Sequence, residues 1–244
     1  MHRMRCFFAV VGFAVCSFVA TGPTAASLLK PNAGRSYPDI AADINGKVTY
    51  SYDAGTKTGL FHVKNTPYLI AGGATQDLEY TVSSDSVTGV RSQELKVMLN
   101  SSGQLVADVG NSYELWGTIV AQGVTYSGLL LKGTPTGFGF QDLGTAGIQG
   151  ADMFDVSLSI TGGSLASFFG SDGYMRISPE LLSTFNGRFD EDFTAQKATS
   201  NTRTYGPPKP FPVPEPGSLI VMLAGVAGLV MHHRRRPPRG HGRR

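Results

Sequence analysis

Reactive side chains are scarce in this 244-residue sequence. The only cysteines are Cys6 and Cys16, and His62 is the only histidine between His2 and His232. A lone histidine excludes a two-histidine metal centre, and any Ser-His-Asp triad in that long stretch would have to be built on His62. No Gly-x-Ser-x-Gly nucleophile motif and no Asp-x-Asp-x-Asp-Gly calcium loop occurs. Charged residues make up only 16% of the chain, and Trp116 is the sole tryptophan.

Glycine and proline are plentiful in their place, at 31 and 14 residues. Both are costly inside helices, so the composition leans towards a turn-rich β protein. The formal charge of +3 comes from the ends, with Arg3 and Arg5 at the start and six arginines in the last eleven positions. Residues 27–212 hold 13 basic and 17 acidic side chains, a net of −4. No basic stripe is left there to neutralise phosphates, which excludes nucleic acid as a partner.

Residues 1–26 have a basic start, an apolar run from Cys6 to Ala20, and the small residues Thr24, Ala25 and Ala26. That order is a secretory signal peptide, with cleavage placed between Ala26 and Ser27. The secretion translocon and signal peptidase are therefore expected partners. Both cysteines leave with the signal peptide, so the mature chain must hold together without a disulfide.

At the other end, alternate prolines from Pro207 to Pro216 deny the backbone its amide donors and push Val213 and Glu215 into extended conformations. An uncharged apolar segment, Ser218 to Met231, follows, then His232, His233 and the cluster Arg234, Arg235, Arg236. Fourteen helical residues span about 21 Å, enough for one short transmembrane helix where flanking residues snorkel. Arginines beyond it set the orientation, tail in the cytoplasm and the bulk of the chain exported.

Val213-Pro214-Glu215-Pro216, the short apolar segment with Gly225 and Gly228, and the Arg234-Arg235-Arg236 cluster resemble the PEP-CTERM sorting domain of bacterial exported proteins. The resemblance is confined to about the last 32 residues, with the signal peptide at the opposite end. It implies that a membrane-embedded exosortase recognises the tail, cuts near the Pro-Glu-Pro motif and passes the chain to the cell surface or an extracellular polysaccharide matrix. On this reading residues 213–217 are the motif, 218–231 the membrane helix, 232–236 the retention cluster and 237–244 a basic tail.

Between the ends, residues 27–186 read as an all-β ectodomain, an antiparallel sandwich or jelly roll. Val48, Tyr50 and Tyr52 alternate with polar residues ahead of a 53–57 loop and the return through Phe61 and Val63. Leu95, Val97 and Leu99 lead into Asn100-Ser101-Ser102-Gly103, with Leu105, Ala107 and Val109 read as the returning strand. Further strands are expected near 78–83, 113–120, 124–131, 154–160 and 174–178. The loop Gly133 to Gly139 reads as a turn. One helix is expected, with Ser178 as N-cap, Pro179 in the first turn, Glu180 beside it, and Leu181, Leu182 and Phe185 following. Residues 187–212 lose periodicity and read as an irregular stalk and linker.

The chemistry-bearing candidates are few. Asp190, Glu191 and Asp192 form the densest acidic group and raise an oxygen-ligand calcium site; Asp152 with Asp155, and Asp172, read as turn and strand-edge residues. A carbohydrate-active hydrolase would need two carboxylates at fixed separation, and the spacing selects no pair. Tyr50, Tyr52, Tyr113 and Trp116 could stack on sugar rings, although strand alternation points the tyrosines to the core. The ectodomain thus reads as a non-enzymatic structural or binding module with no cofactor, the alternatives being a hydrolase or a carbohydrate-binding module.

Overall fold

A computed structural model describes residues 27–29, 36–73, 75–142 and 152–204. Ten strands follow one another: β1 (Asp39–Asp53), β2 (Thr58–Asn65), β3 (Pro67–Ala71), β4 (Glu79–Thr81), β5 (Ser92–Asn100), β6 (Ser112–Ala121), β7 (Val124–Asp142), β8 (Asp152–Gly162), β9 (Asp172–Leu181) and β10 (Phe193–Thr204). A single turn of helix, α1 (Ala166–Phe169), lies between β8 and β9. Every neighbouring pair is antiparallel, in the order β1-β2-β5-β6-β7-β8-β9-β10, and β10 returns to pair with β1. Eight strands thus close into a barrel, which leaves no long sheet edge exposed.

Alternation decides which way each side chain points. In β5, Gln93, Leu95, Val97 and Leu99 are buried while the residues between them are half-exposed. Val48, Tyr50, Phe61, Val63, Leu115, Phe154, Val156, Met175 and Ile177 join them inside the barrel. Charged side chains such as Lys64 and Lys132 point out, the inverse of the apolar exterior of a membrane-spanning barrel. Burying each large apolar side chain contributes about 1.5–3 kcal/mol, so the lumen is the main source of stability.

The two ends are closed differently. At one end Phe140, Phe185, Phe189 and Phe193 pack edge-on and tilted, with ring centroids 4.7 to 5.6 Å apart, and the Tyr50 hydroxyl donates to the Phe189 carbonyl at 2.9 Å. At the other end, buried Leu165 and Phe169 of the α1 region cap the lumen, and Thr204 Oγ1 donates to the Phe169 carbonyl. β1 is long enough to serve two partners, with Lys47–Asp53 pairing to β2 and Asp39–Ala42 to β3. β4 extends that flap, and Ser83 bridges to Thr118 of β6 beyond the point where β5 begins.

The all-β antiparallel expectation holds, but the strands form one closed barrel and not two packed sheets. Four local expectations differ from the structure. The strand returning from β5 is β6; Leu105 makes only an isolated bridge to Leu99, and Val109 is fully exposed. Gly133 to Gly139 is no turn, because it lies inside the 19-residue β7. The helix expected from Ser178 is strand, with Pro179 opposite Ala198 of β10. Pairing of β9 to β8 ends at Ile177, so a residue without an N–H is tolerated just beyond it. Part of the segment read as a stalk, residues 193–204, is β10 and completes the barrel. The membrane helix and the sorting tail lie outside the described residues. Among those described, no helix is long and apolar enough to cross a membrane.

Candidate functional site

Among the described residues, the outer wall carries an assembly of half-exposed charged and aromatic groups that spans four strands. In register, Lys64 of β2 faces Glu94 of β5, Glu94 faces Glu114 of β6, and Glu114 faces Lys132 of β7. Like charges directly opposite one another repel, so each glutamate needs its own compensation. Glu94 Oε1 accepts from His62 Nε2 at 2.7 Å and lies 3.3 Å from Lys96 Nζ and 3.8 Å from Lys64 Nζ. Glu114 lies 3.7 Å from Lys132 Nζ and accepts from Trp116 Nε1 at 3.1 Å. Burial works against the Glu94 charge, but the hydrogen bonds from His62 and Lys96 outweigh it and hold the carboxyl below its ordinary range.

His62 is therefore hydrogen-bonded into this row. Sequence reasoning missed Glu94 and Glu114. The outward positions of two recognisable strands could have flagged each of them, but not that register sets them side by side. Trp116 is the one sugar-stacking candidate left on the outer wall, held edge-on by Glu114. Tyr50 and Tyr113 are in the core, and Tyr52 is half-buried against it.

Inside the barrel a second polar assembly crosses the lumen. Asn65 Nδ2 donates to the Ala198 carbonyl at 2.8 Å, Ser200 Oγ donates to Gln93 Oε1 at 2.7 Å, and Gln93 Nε2 donates to the hydroxyls of Tyr113 and Thr202. All five side chains are buried, and burial pushes the Tyr113 hydroxyl up to about 12. Each of these polar atoms meets a partner of this chain, so the network ties strands together across the lumen.

The other candidates separate. Asp190 is bound at both oxygens by Arg188, which holds its carboxyl low; Asp192 accepts the Tyr52 amide; Glu191 accepts from Asn186. The three carboxylates are thus used singly in a loop, and among the described residues no three His, Cys, Asp or Glu side chains converge as metal ligands. Asp152 and Asp155 lie on opposite faces of different strand positions, Asp155 fully buried with Arg176 Nε at 2.9 Å and the Tyr174 hydroxyl at 2.6 Å. Asp172 lines a shallow groove of about 360 Å³ with Thr136, Ser157, Leu158 and Gly173.

Of the cleavage pair, Ser27 is described and Ala26 is not. The sorting residues Val213, Pro214, Glu215 and Pro216 and the cluster Arg234, Arg235 and Arg236 also lie outside the described residues. No curated protein and no solved structure matches the chain. A family profile does, that of the PEP-CTERM protein-sorting motif, over residues 212–236. The chain carries a C-terminal PEP-CTERM protein-sorting motif, the mark of an exported protein handled by an exosortase-type membrane enzyme.

Proposed function

We propose that this is a non-enzymatic surface or matrix protein whose barrel is delivered outside the cell by removal of its C-terminal signal. The carrying observation is the sorting motif at residues 212–236. Signal peptidase cuts after Ala26, the Ser218 to Met231 segment holds the chain in the inner membrane, and the three arginines stay cytoplasmic. A charged side chain at mid-bilayer costs about 2.5–3.5 kcal/mol, so the cluster resists being pulled through. Pro214 and Pro216 hold Glu215 extended, the backbone form a protease cleft accepts. The exosortase-type enzyme then releases the barrel towards the cell surface and its exopolysaccharide. Mass spectrometry of the C-terminus from native cells tests this. A chain ending near Glu215 is expected, and replacing Pro214, Glu215 and Pro216 by alanine should leave it inserted and uncut. An intact chain ending at Arg244 on the outer surface of a host with the enzyme refutes the proposal.

A second reading has one observation behind it, the half-buried Trp116 beside the Glu94–Glu114 row on the outer wall. An aromatic face flanked by carboxylates suits a sugar ring and its hydroxyls. Retention of the purified protein on the producer's polysaccharide, lost in Trp116→Ala without loss of fold, would favour a carbohydrate-binding module. Turnover lost in Glu94→Gln or Glu114→Gln would instead reveal a hydrolase.

A further inference from the structure

Ser27 to Leu29, the first residues after the proposed cleavage point, lie against the outside of β7. Phe138 and Phe140 point into the lumen, so Gly137 and Gly139 face outward. A Cβ at Gly139 would meet the Ser27 carbonyl oxygen at 2.7 Å and the Leu29 amide nitrogen at 2.9 Å. At Gly137 it would come to 3.4 Å from Leu29 Cδ1. The Gly137 contact is an ordinary one, but only a strand without a side chain at Gly139 admits another backbone this close. Leu28 is 6% exposed, and the outward-facing Gly139 is itself buried. Next to it in register, Asp155 is fully buried on the same wall with its Arg176 and Tyr174 partners.

A protease takes its substrate as an extended strand with both flanks of the cut bond free to enter a cleft. Here the residue on the carboxyl side of the bond has its carbonyl pressed on a barrel wall. We infer that removal of the signal peptide and docking of Ser27–Leu29 compete for the same backbone, so that removal precedes docking. The inference rests on cleavage between Ala26 and Ser27. The Gly137–Gly139 slot is then a seat for the newly made N-terminus, and signal-peptide cleavage is ordered before the last step of folding.

The test presents the full-length precursor, in detergent micelles, to purified signal peptidase, either folded or freshly diluted from urea, with products read by mass spectrometry. Proteolysis follows the population of the open form, so the folded precursor should be cut about tenfold or more slowly than the unfolded one. Gly139→Val, which fills the slot, and Leu28→Asp, which removes the apolar anchor without touching the barrel, should each restore fast cleavage of the folded precursor. Equal rates for folded and unfolded precursor overturn the inference while leaving the cleavage site intact. Cleavage of the unfolded precursor at another bond overturns the site and the inference together.

Discussion

Gln93 of β5 and Thr202 of β10 meet inside the barrel, the amide nitrogen donating to the hydroxyl at 2.8 Å. The two strands are not neighbours in the sheet. The bond therefore reports closure of the barrel, and it sits in a network with Tyr113, Ser200 and Asn65. Thr202→Val keeps the volume but leaves buried polar atoms without a partner, at a cost of about 1–3 kcal/mol. Gln93→Leu should cost a similar amount, and the double variant less than the two together, because the groups share one network. Urea midpoints of the three variants decide it; strict additivity would show that the groups act independently.

β10 explains why part of the barrel was hard to read. Its inward positions are Phe193, Ala195, Ala198, Ser200, Thr202 and Thr204, small or hydroxyl-bearing after the first. Such residues give no apolar alternation, because the lumen they face is filled by Tyr113 and Gln93 from across it. β5 and β6, with Leu, Val, Tyr or Ile at most of their inward places, were legible for the opposite reason. Ser178-Pro179-Glu180 carries a local helix-start signal that pairing with β10 overrides. The sorting tail was legible because its function is carried by local sequence order. The Glu94–Glu114 row was not, since it depends on register between strands.

Gly103 offers a test of the aromatic end. Its φ is +74°, in the left-handed region, and a Cβ there would stand 2.7 Å from Phe189 and 3.0 Å from Phe140. Gly103→Ala thus combines backbone strain with overpacking, and should destabilise the barrel by about 2–4 kcal/mol. Differential scanning calorimetry should show a lowered Tm together with loss of near-ultraviolet circular dichroism from the phenylalanine cluster. An unchanged Tm would mean that the cluster yields without cost.

Glu94 makes stability depend on acid. Its folded carboxyl titrates below the ordinary value, so the ionised form favours the folded state. That contribution is fully present above the unfolded value, about pH 4.3, and is lost as pH falls through the lower folded one. Wild-type protein should therefore have a higher Tm than Glu94→Gln at neutral pH, and the gap should close on acidification. The side chain is a third exposed, so salt should narrow the gap as well. A gap that stays constant with pH would exclude the His62 and Lys96 bonds as its source.

The closing strand also sets where the chain can be cut. Asp39–Tyr50 of β1 pairs with Phe193–Arg203 of β10, and Gly173–Leu181 of β9 covers the other side of β10. Ending the chain at residue 186, the boundary that periodicity suggests, strips β1 and β9 of a shared neighbour and opens two long edges. Phe189 and Phe193 leave with it, and with them the ring partners of Tyr50 and two of those of Phe185. A chain of residues 27–206 keeps all of these contacts and lacks the sorting motif. It should melt cooperatively at the Tm of the barrel in the longer protein, whereas residues 27–186 should show no cooperative transition. This is also what release near Glu215 requires, since a barrel freed of its tail must hold its fold unaided. A 27–206 chain that fails to melt cooperatively would show that residues outside that range belong to the fold, and would remove the physical basis for a disposable tail.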